Sequence, residues 1–271
     1  MNEFEFMRDL PIGQYLPLDT PIRRLDPRTR IVGATVFLIG LTFVTSPAGL
    51  LLGLAVALLA WWFSRIPAGP LVRGWRATLP FLLILALMQV FFRVGEDGPE
   101  LLRVGWLVIS TGDLWAGFKL ILRFTDYIAV LSLATSTLSA SEITRGSEAL
   151  LRPLTVLRFP VHDFVMVVQV TLRFFPLLAQ TAERIAKAQA SRGADWQPSG
   201  NLIQRARQVV PLIVPLFVTS LRRAENMALA MDARGYGSGP SRTSMVELHF
   251  RRIDVLILLG IAILVVIMFL L

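Results

Sequence analysis

The sequence predicts an all-α, polytopic membrane protein with about five transmembrane helices and a helical, basic cytoplasmic domain that contains two long crossing helices. Three observations carry this. Of 271 residues, 54% are hydrophobic and 17% charged, against roughly 45–50% and 25% in ordinary soluble domains. The excess is gathered into unbroken apolar runs, among them Val255–Leu271, which holds neither a charge nor a proline. Finally, 27 basic and 19 acidic residues give a net charge of +8. Of this, +7 lies between Ser139 and Arg252, where 15 basic residues stand against 8 acids.

Residues 1–30 read as a cytoplasmic lead-in. The first residues carry Glu3 and Glu5 where a secretory signal carries basic residues, so no cleaved signal is expected. Pro11, Pro17, Pro21 and Pro27, with Arg23, Arg24, Arg28 and Arg30, make it turn-rich. A four-helix transmembrane region, 31–138, follows. Ile31 to Phe63 is apolar for 33 residues, about 50 Å as one helix, which overshoots a ~30 Å hydrocarbon layer. It is therefore read as two spans broken at Thr45-Ser46-Pro47-Ala48-Gly49, with Trp61 and Trp62 at the opposite interface. The third span is placed at Ala77–Phe92, the fourth at Leu114–Leu138. A C-terminal transmembrane helix, 253–271, closes the chain.

Basic residues orient these spans. The connection between the second and third spans has Arg65, Arg73 and Arg76 and no acid; the one between the third and fourth has Glu96, Asp97, Glu100 and Asp113. The second connection also holds Arg93 and Arg103, set against those four acids, so the first should face the cytoplasm and the second the outside. The N-terminus and the block 139–252 then lie inside and the C-terminus outside.

Within that block, Asp163–Ser191 and Asn201–Ala233 read as helices of roughly eight and nine turns. Pro176, Pro211 and Pro215 should bend them. Arg173 and Pro176 interrupt the apolar part of the first, and the apolar run of the second is short, so both are read as lying against the membrane face or other apolar protein. The two helices end alike. Residues 182–193 align without gaps on 224–235, and six of twelve positions are identical. Gly193 and Gly235 fall where a helix stops through a left-handed residue, so Arg192 and Arg234 project from the last turns. One such arginine would simply complement the negative helix end. Two equal tips, Ser191-Arg192-Gly193 and Ala233-Arg234-Gly235, look like plugs for two similar sockets. Ala182, Ala186 and Ala190, with Ala224 and Ala228 in register, either allow the backbones to cross closely or are merely good helix formers.

Several chemistries are missing. There is no cysteine, and the two lysines, Lys119 and Lys187, follow Phe118 and Ala186, so no Walker A motif exists. His162 and His249 lack carboxylates at ligand spacing, so no metal site is expected. Gly235–Pro240 follows a helix where a phosphate loop opens one. In the fourth span Lys119, Arg123 and Asp126 share a helix side, either as functional charges or as a snorkelling or paired set near a helix end.

The lead-in Asp19-Thr-Pro-Ile-Arg-Arg-Leu-Asp-Pro-Arg-Thr-Arg30, the stretch Val161-His-Asp-Phe164, the Leu172-Arg-Phe-Phe-Pro176 run and the paired tips together resemble the EcfT/CbiQ family. This is the transmembrane T component of energy-coupling factor (ECF) transporters, and the likeness spans essentially the whole chain. The family's motif has alanine where Ser191 stands, a small-for-small change. The resemblance implies that 139–252 is a helical cytoplasmic coupling domain in a multi-pass protein of the prokaryotic cell membrane. It implies a non-catalytic subunit that joins a substrate-binding S component to two ABC-type ATPase subunits, the same or different, for vitamin or metal-ion uptake. Ser191, Arg192, Gly193, Ala233, Arg234 and Gly235 would dock the ATPases. Phe164, Val168, Leu172, Phe175, Val209, Leu212 and Leu216 would face the S component. The chain itself would bind no cofactor, ATP and Mg residing on the ATPases, and no nucleic acid. The competing class is a stand-alone membrane channel or secondary carrier, which would need neither ATP nor partner subunits.

Overall fold

The computed structural model describes residues 21–92, 99–104, 107–157, 160–193, 202–236 and 248–271. The lead-in before Pro21, Glu96 and Asp97, Asn201, and residues 237–240 of the glycine-rich run lie outside them.

Local sequence sets most of the helix ends. A short 3-10 turn, Pro21–Arg24, leads into α1, Pro27–Phe43. Asp26 caps α1 by accepting from the Arg28 N–H at 2.9 Å, and Pro27 supplies a fixed φ in the first turn. The helix thus begins inside the expected lead-in and takes Arg30 with it. Ser46 caps α2, Pro47–Ser64, in the same way through the Gly49 N–H, so the predicted break is the turn between two helices. Next comes α3, Gly69–Phe91, which runs through Pro80 and starts eight residues before the expected Ala77. Arg73 and Arg76, expected in a loop, are on its first turns.

The departure from an all-α chain is a small antiparallel hairpin, β1 (Glu100–Val104) and β2 (Leu107–Ser110), paired Arg103 to Val108 and Val104 to Leu107. It occupies the connection between the third and fourth predicted spans. Two capping boxes follow. Ser110 and Asp113 start α4, Thr111–Thr137, and Ser139 and Glu142 start α5, Ala140–Leu151. Beyond a 3-10 turn at Arg152–Leu157 lie α6, Val161–Ser191, α7, Leu202–Ala233, and α8, Arg252–Leu270.

Among the described residues four helices are long and apolar enough to cross a membrane: α2, α3, α6 and α8. The inclusion of α6 differs from the sequence expectation, because Arg173 and Pro176 are isolated interruptions in a 31-residue helix. The shorter α1 and the charge-bearing α4, both expected as spans, pack within the same bundle as α2 and α8.

The chain divides into two compact units, one containing His162–Glu247 and the other containing Gly13–Val161 and Leu248–Leu271. In the second, α4 packs on α1, α2 and α3, while α8 lies against α1 and α2, and α5 against α1. Phe37, Leu41, Val44, Leu50, Ala57, Leu122, Ala129, Val130 and Met268 form its core. Gly40 lets α1 and α8 approach closely: a Cβ there would sit 2.5 Å from Val265 Cγ1. Gly53 does the same for α2, where a Cβ would come within 2.7 Å of Met268 Cε. Small residues are how membrane helices gain van der Waals contact when lipid removes the hydrophobic drive to associate.

The start of α1 is tied to its neighbours by polar groups. The Asp26 N–H donates to Asp254 Oδ1 at 3.0 Å, linking the starts of α1 and α8. Arg30, buried in the bundle, donates from Nη1 to the Thr137 carbonyl at 2.6 Å and from Nη2 to Glu142 Oε1 at 3.0 Å. One guanidinium therefore joins the end of α4 to the cap of α5. Burial pushes the Glu142 carboxyl upward. The Ser139 N–H, the Arg30 guanidinium and the Ser139 hydroxyl outweigh it and hold the carboxyl below its ordinary value.

Candidate coupling tips on two long helices

The ends of α6 and α7 are built by their glycines. Gly193 has φ +85° and Gly235 φ +70°, the left-handed conformation that costs other residues roughly 1–2 kcal/mol. At α7 the Gly235 N–H donates to the Asp232 carbonyl at 2.8 Å and the Tyr236 N–H to the Met231 carbonyl at 3.0 Å. This is a Schellman cap, which satisfies carbonyls the helix would otherwise leave open. At α6 the equivalent Gly193 N–H donates to the Ala190 carbonyl at 3.0 Å.

Each helix thus ends at the glycine directly after its arginine. Ser191, Arg192 and Gly193 are exposed, as are Ala233, Arg234 and Gly235. Among the described residues neither the Arg192 nor the Arg234 guanidinium has a hydrogen-bond or ion-pair partner. Each tip thus presents a planar five-donor group suited to a carboxylate fork. Tyr236, the residue that completes the α7 cap, was not singled out by sequence. Its position directly after the glycine was the signal.

The two tips share a backbone design but differ in surface. Where α6 has Arg184 and Lys187, α7 has Asn226 and Leu229. Lys187 pairs with Glu183 one turn earlier at 2.5 Å, an exposed contact of small energetic weight. The alanine stripe is also unequal. Ala186 is only 1% exposed, between half-buried Ala182 and Ala190. Ala224 and Ala228 are exposed, and Arg223, Met227 and Met231 take the half-buried side of α7. The alanine stripe is therefore packed on α6 and open on α7.

Further up the helices, Phe164, Leu172 and Phe175 are exposed and Val168 is half-buried. On α7, Val209 is exposed, but Leu212 and Leu216 are half-buried. The open apolar stripe there is Val210, Ile213, Val214, Phe217 and Leu221, with Phe217 64% exposed. Residues 209–214 are apolar apart from Pro211, so helical spacing fits either stripe and sequence alone does not choose between them.

Of the readings open for the α4 charges, a pairing of Arg123 with Asp126 is not formed among the described residues. Arg123 Nη2 donates to the Val44 carbonyl at 2.5 Å, at the turn between α1 and α2. Asp126 is fully buried, and among the described residues neither carboxylate oxygen has a hydrogen-bond partner. Lys119 is half-buried.

Comparison with known proteins places the chain in a family. The CbiQ family, described as cobalt transport protein, matches residues 19–245. The energy-coupling factor transporter transmembrane protein EcfT of Acidaminococcus fermentans is 38% identical over 252 residues, 92% of each chain. The protein of the same name from Clostridium kluyveri is 37% identical over 248 residues, 92% of this chain and 91% of its own. That from Bacillus subtilis is 34% identical over 267 residues, 97% of this chain and 98% of its own.

Proposed function

The chain belongs to the CbiQ family of cobalt transport proteins, and we propose that it is the transmembrane coupling subunit of an ECF-type importer. It joins two cytoplasmic ABC-type ATPases to a membrane-embedded S component that carries a vitamin or a metal ion. The observation that supports this best is the duplicated tip. Two helices end on a left-handed glycine, and each offers an exposed arginine without a side-chain partner among the described residues.

Arg192 and Arg234 each enter a groove on one ATPase, where a carboxylate takes the guanidinium bidentately. ATP and Mg are held by the ATPases, so this chain performs no chemistry. Closure of the ATPases on ATP draws the tips together and turns α6 and α7. Their exposed apolar faces, Phe164, Leu172 and Phe175 on one and Val210, Ile213 and Phe217 on the other, pass that motion to the S component and tilt it toward the cytoplasm. This requires the N-terminus and the tips on the cytoplasmic side of a prokaryotic cell membrane and the C-terminus outside.

The test is Arg192→Glu together with Arg234→Glu. Loss of a buried charged partner costs about 2–5 kcal/mol at an interface, so the doubly reversed protein is expected to insert in the membrane and lose both ATPases on co-purification. Retention of the ATPases at wild-type stoichiometry overturns the docking role.

A further inference from the structure

Between Ile31 and Phe92 the chain has three ionisable side chains, Arg65, Arg73 and Arg76, and no acid. All three lie in or just after the turn from α2 to α3, and all three are exposed. Among the described residues none has a hydrogen-bond or ion-pair partner. This sets them apart from Arg30 and Arg123, whose guanidiniums are engaged inside the same bundle.

The turn that presents them is firmly held. Ile66 is buried, and its carbonyl accepts from Trp61 Nε1 at 3.1 Å. Arg65 adopts a left-handed conformation at φ 50°, its N–H donating to the Trp62 carbonyl at 3.2 Å. On α3, Gly74 faces α4, a Cβ there meeting Ile128 Cγ2 at 3.4 Å. That contact turns Arg73 and Arg76, spaced one helical turn apart, away from the bundle. Trp62, Phe63, Val72 and Trp75 are exposed around them, the composition of a membrane-interface belt.

We infer that this turn is a preferential binding site for an anionic phospholipid, whose phosphate and second negative headgroup charge are met by Arg65, Arg73 and Arg76 and whose acyl chains lie along the exposed aromatics. Charge complementarity selects the occupant: three guanidiniums that, among the described residues, no carboxylate pairs with, flanked by exposed apolar and aromatic side chains. Arginine suits phosphate through its paired donors, and Trp62 and Trp75 place the site at headgroup depth.

The test reads lipid selectivity directly. The full chain is reconstituted in nanodiscs, and tryptophan quenching by brominated phosphatidylglycerol is compared with that by brominated phosphatidylcholine. Wild type should favour phosphatidylglycerol, and the preference should fall by roughly fivefold for each arginine replaced by glutamine. Arg73→Lys with Arg76→Lys, which keeps the charge, should retain most of it and controls for misfolding. Equal quenching by the two lipids in wild type overturns the site, as does an unchanged preference in Arg65→Gln/Arg73→Gln/Arg76→Gln. Displacement by millimolar inorganic phosphate would also overturn it, since it would assign the arginines to a free anion.

Discussion

Arg30 and Arg192 both lie near helix ends, yet they are used in opposite ways. Arg30 is enclosed, with Nη1 on the Thr137 carbonyl and Nη2 on Glu142, so its charge serves the bundle. Arg192 stands in the open beyond the last turn of α6 and has no partner within the described residues. The difference comes from what surrounds each residue. Arg30 sits where α1, α4 and α5 converge. The left-handed Gly193 ends α6 directly after Arg192, which is exposed. A guanidinium consumed inside one unit stabilises the fold; one left exposed at a helix tip is available to another chain.

The sharpest way to break this contrast is to empty the enclosed site. Arg30→Gln leaves Glu142 and the Thr137 carbonyl without their donor, at a cost of about 3 kcal/mol. The melting temperature in detergent should then drop by roughly 6–12 °C. Adding Glu142→Gln should recover part of the loss, and Arg192→Gln should leave the melting temperature nearly unchanged. An equal fall for both arginines would erase the distinction.

Gly40→Val tests whether the bundle depends on close packing as well as on its polar ties. With Val265 in the way, overpacking should cost about 1–3 kcal/mol, and a second change, Val265→Ala, should restore part of it in the same thermal assay. Gly193→Ala examines the exposed side. No atom would crowd the new Cβ, so the penalty is conformational only, about 1–2 kcal/mol. It should appear as faster amide exchange at Arg192 and Gly193 and weaker ATPase binding, with the bundle's melting unchanged.

The smallest expected effect is on pH dependence. Because the folded Glu142 carboxyl lies below its ordinary value, its stabilising contribution is fully present above the unfolded pKa. It is lost as pH falls through the lower folded value. A melting series from pH 6 to pH 3 should therefore fall less steeply for Glu142→Gln than for wild type.

Helix identity was largely legible in the sequence because its signals are local. The break at Ser46-Pro47 is a cap followed by a proline, and the left-handed Gly193 and Gly235 follow from glycine placed just beyond a helix. The start of α3 was missed because Arg73 and Arg76 resemble loop charges. Pro70 in the first turn was the better marker. The hairpin was missed because two strands of five and four residues carry little periodicity. In the candidate site the two arginines stand out in the sequence by repetition, while on α7 the exposed Val210, Ile213 and Phe217 lie one residue from Val209, Leu212 and Leu216, a choice open to sequence because both registers are apolar.

The sequence by itself determined the membrane character, the order of the helices and the twin arginine tips. Each depends on composition or on residues a few positions apart, and hydrophobicity and capping act over that range. Only the tertiary structure decided that Arg30 is consumed by Thr137 and Glu142, more than a hundred residues away, while Arg65, Arg73 and Arg76 are left exposed. It also decided that Ala186 is buried while Ala228 is not. Those outcomes depend on which surfaces meet, and a helical period identifies a face without naming what packs against it.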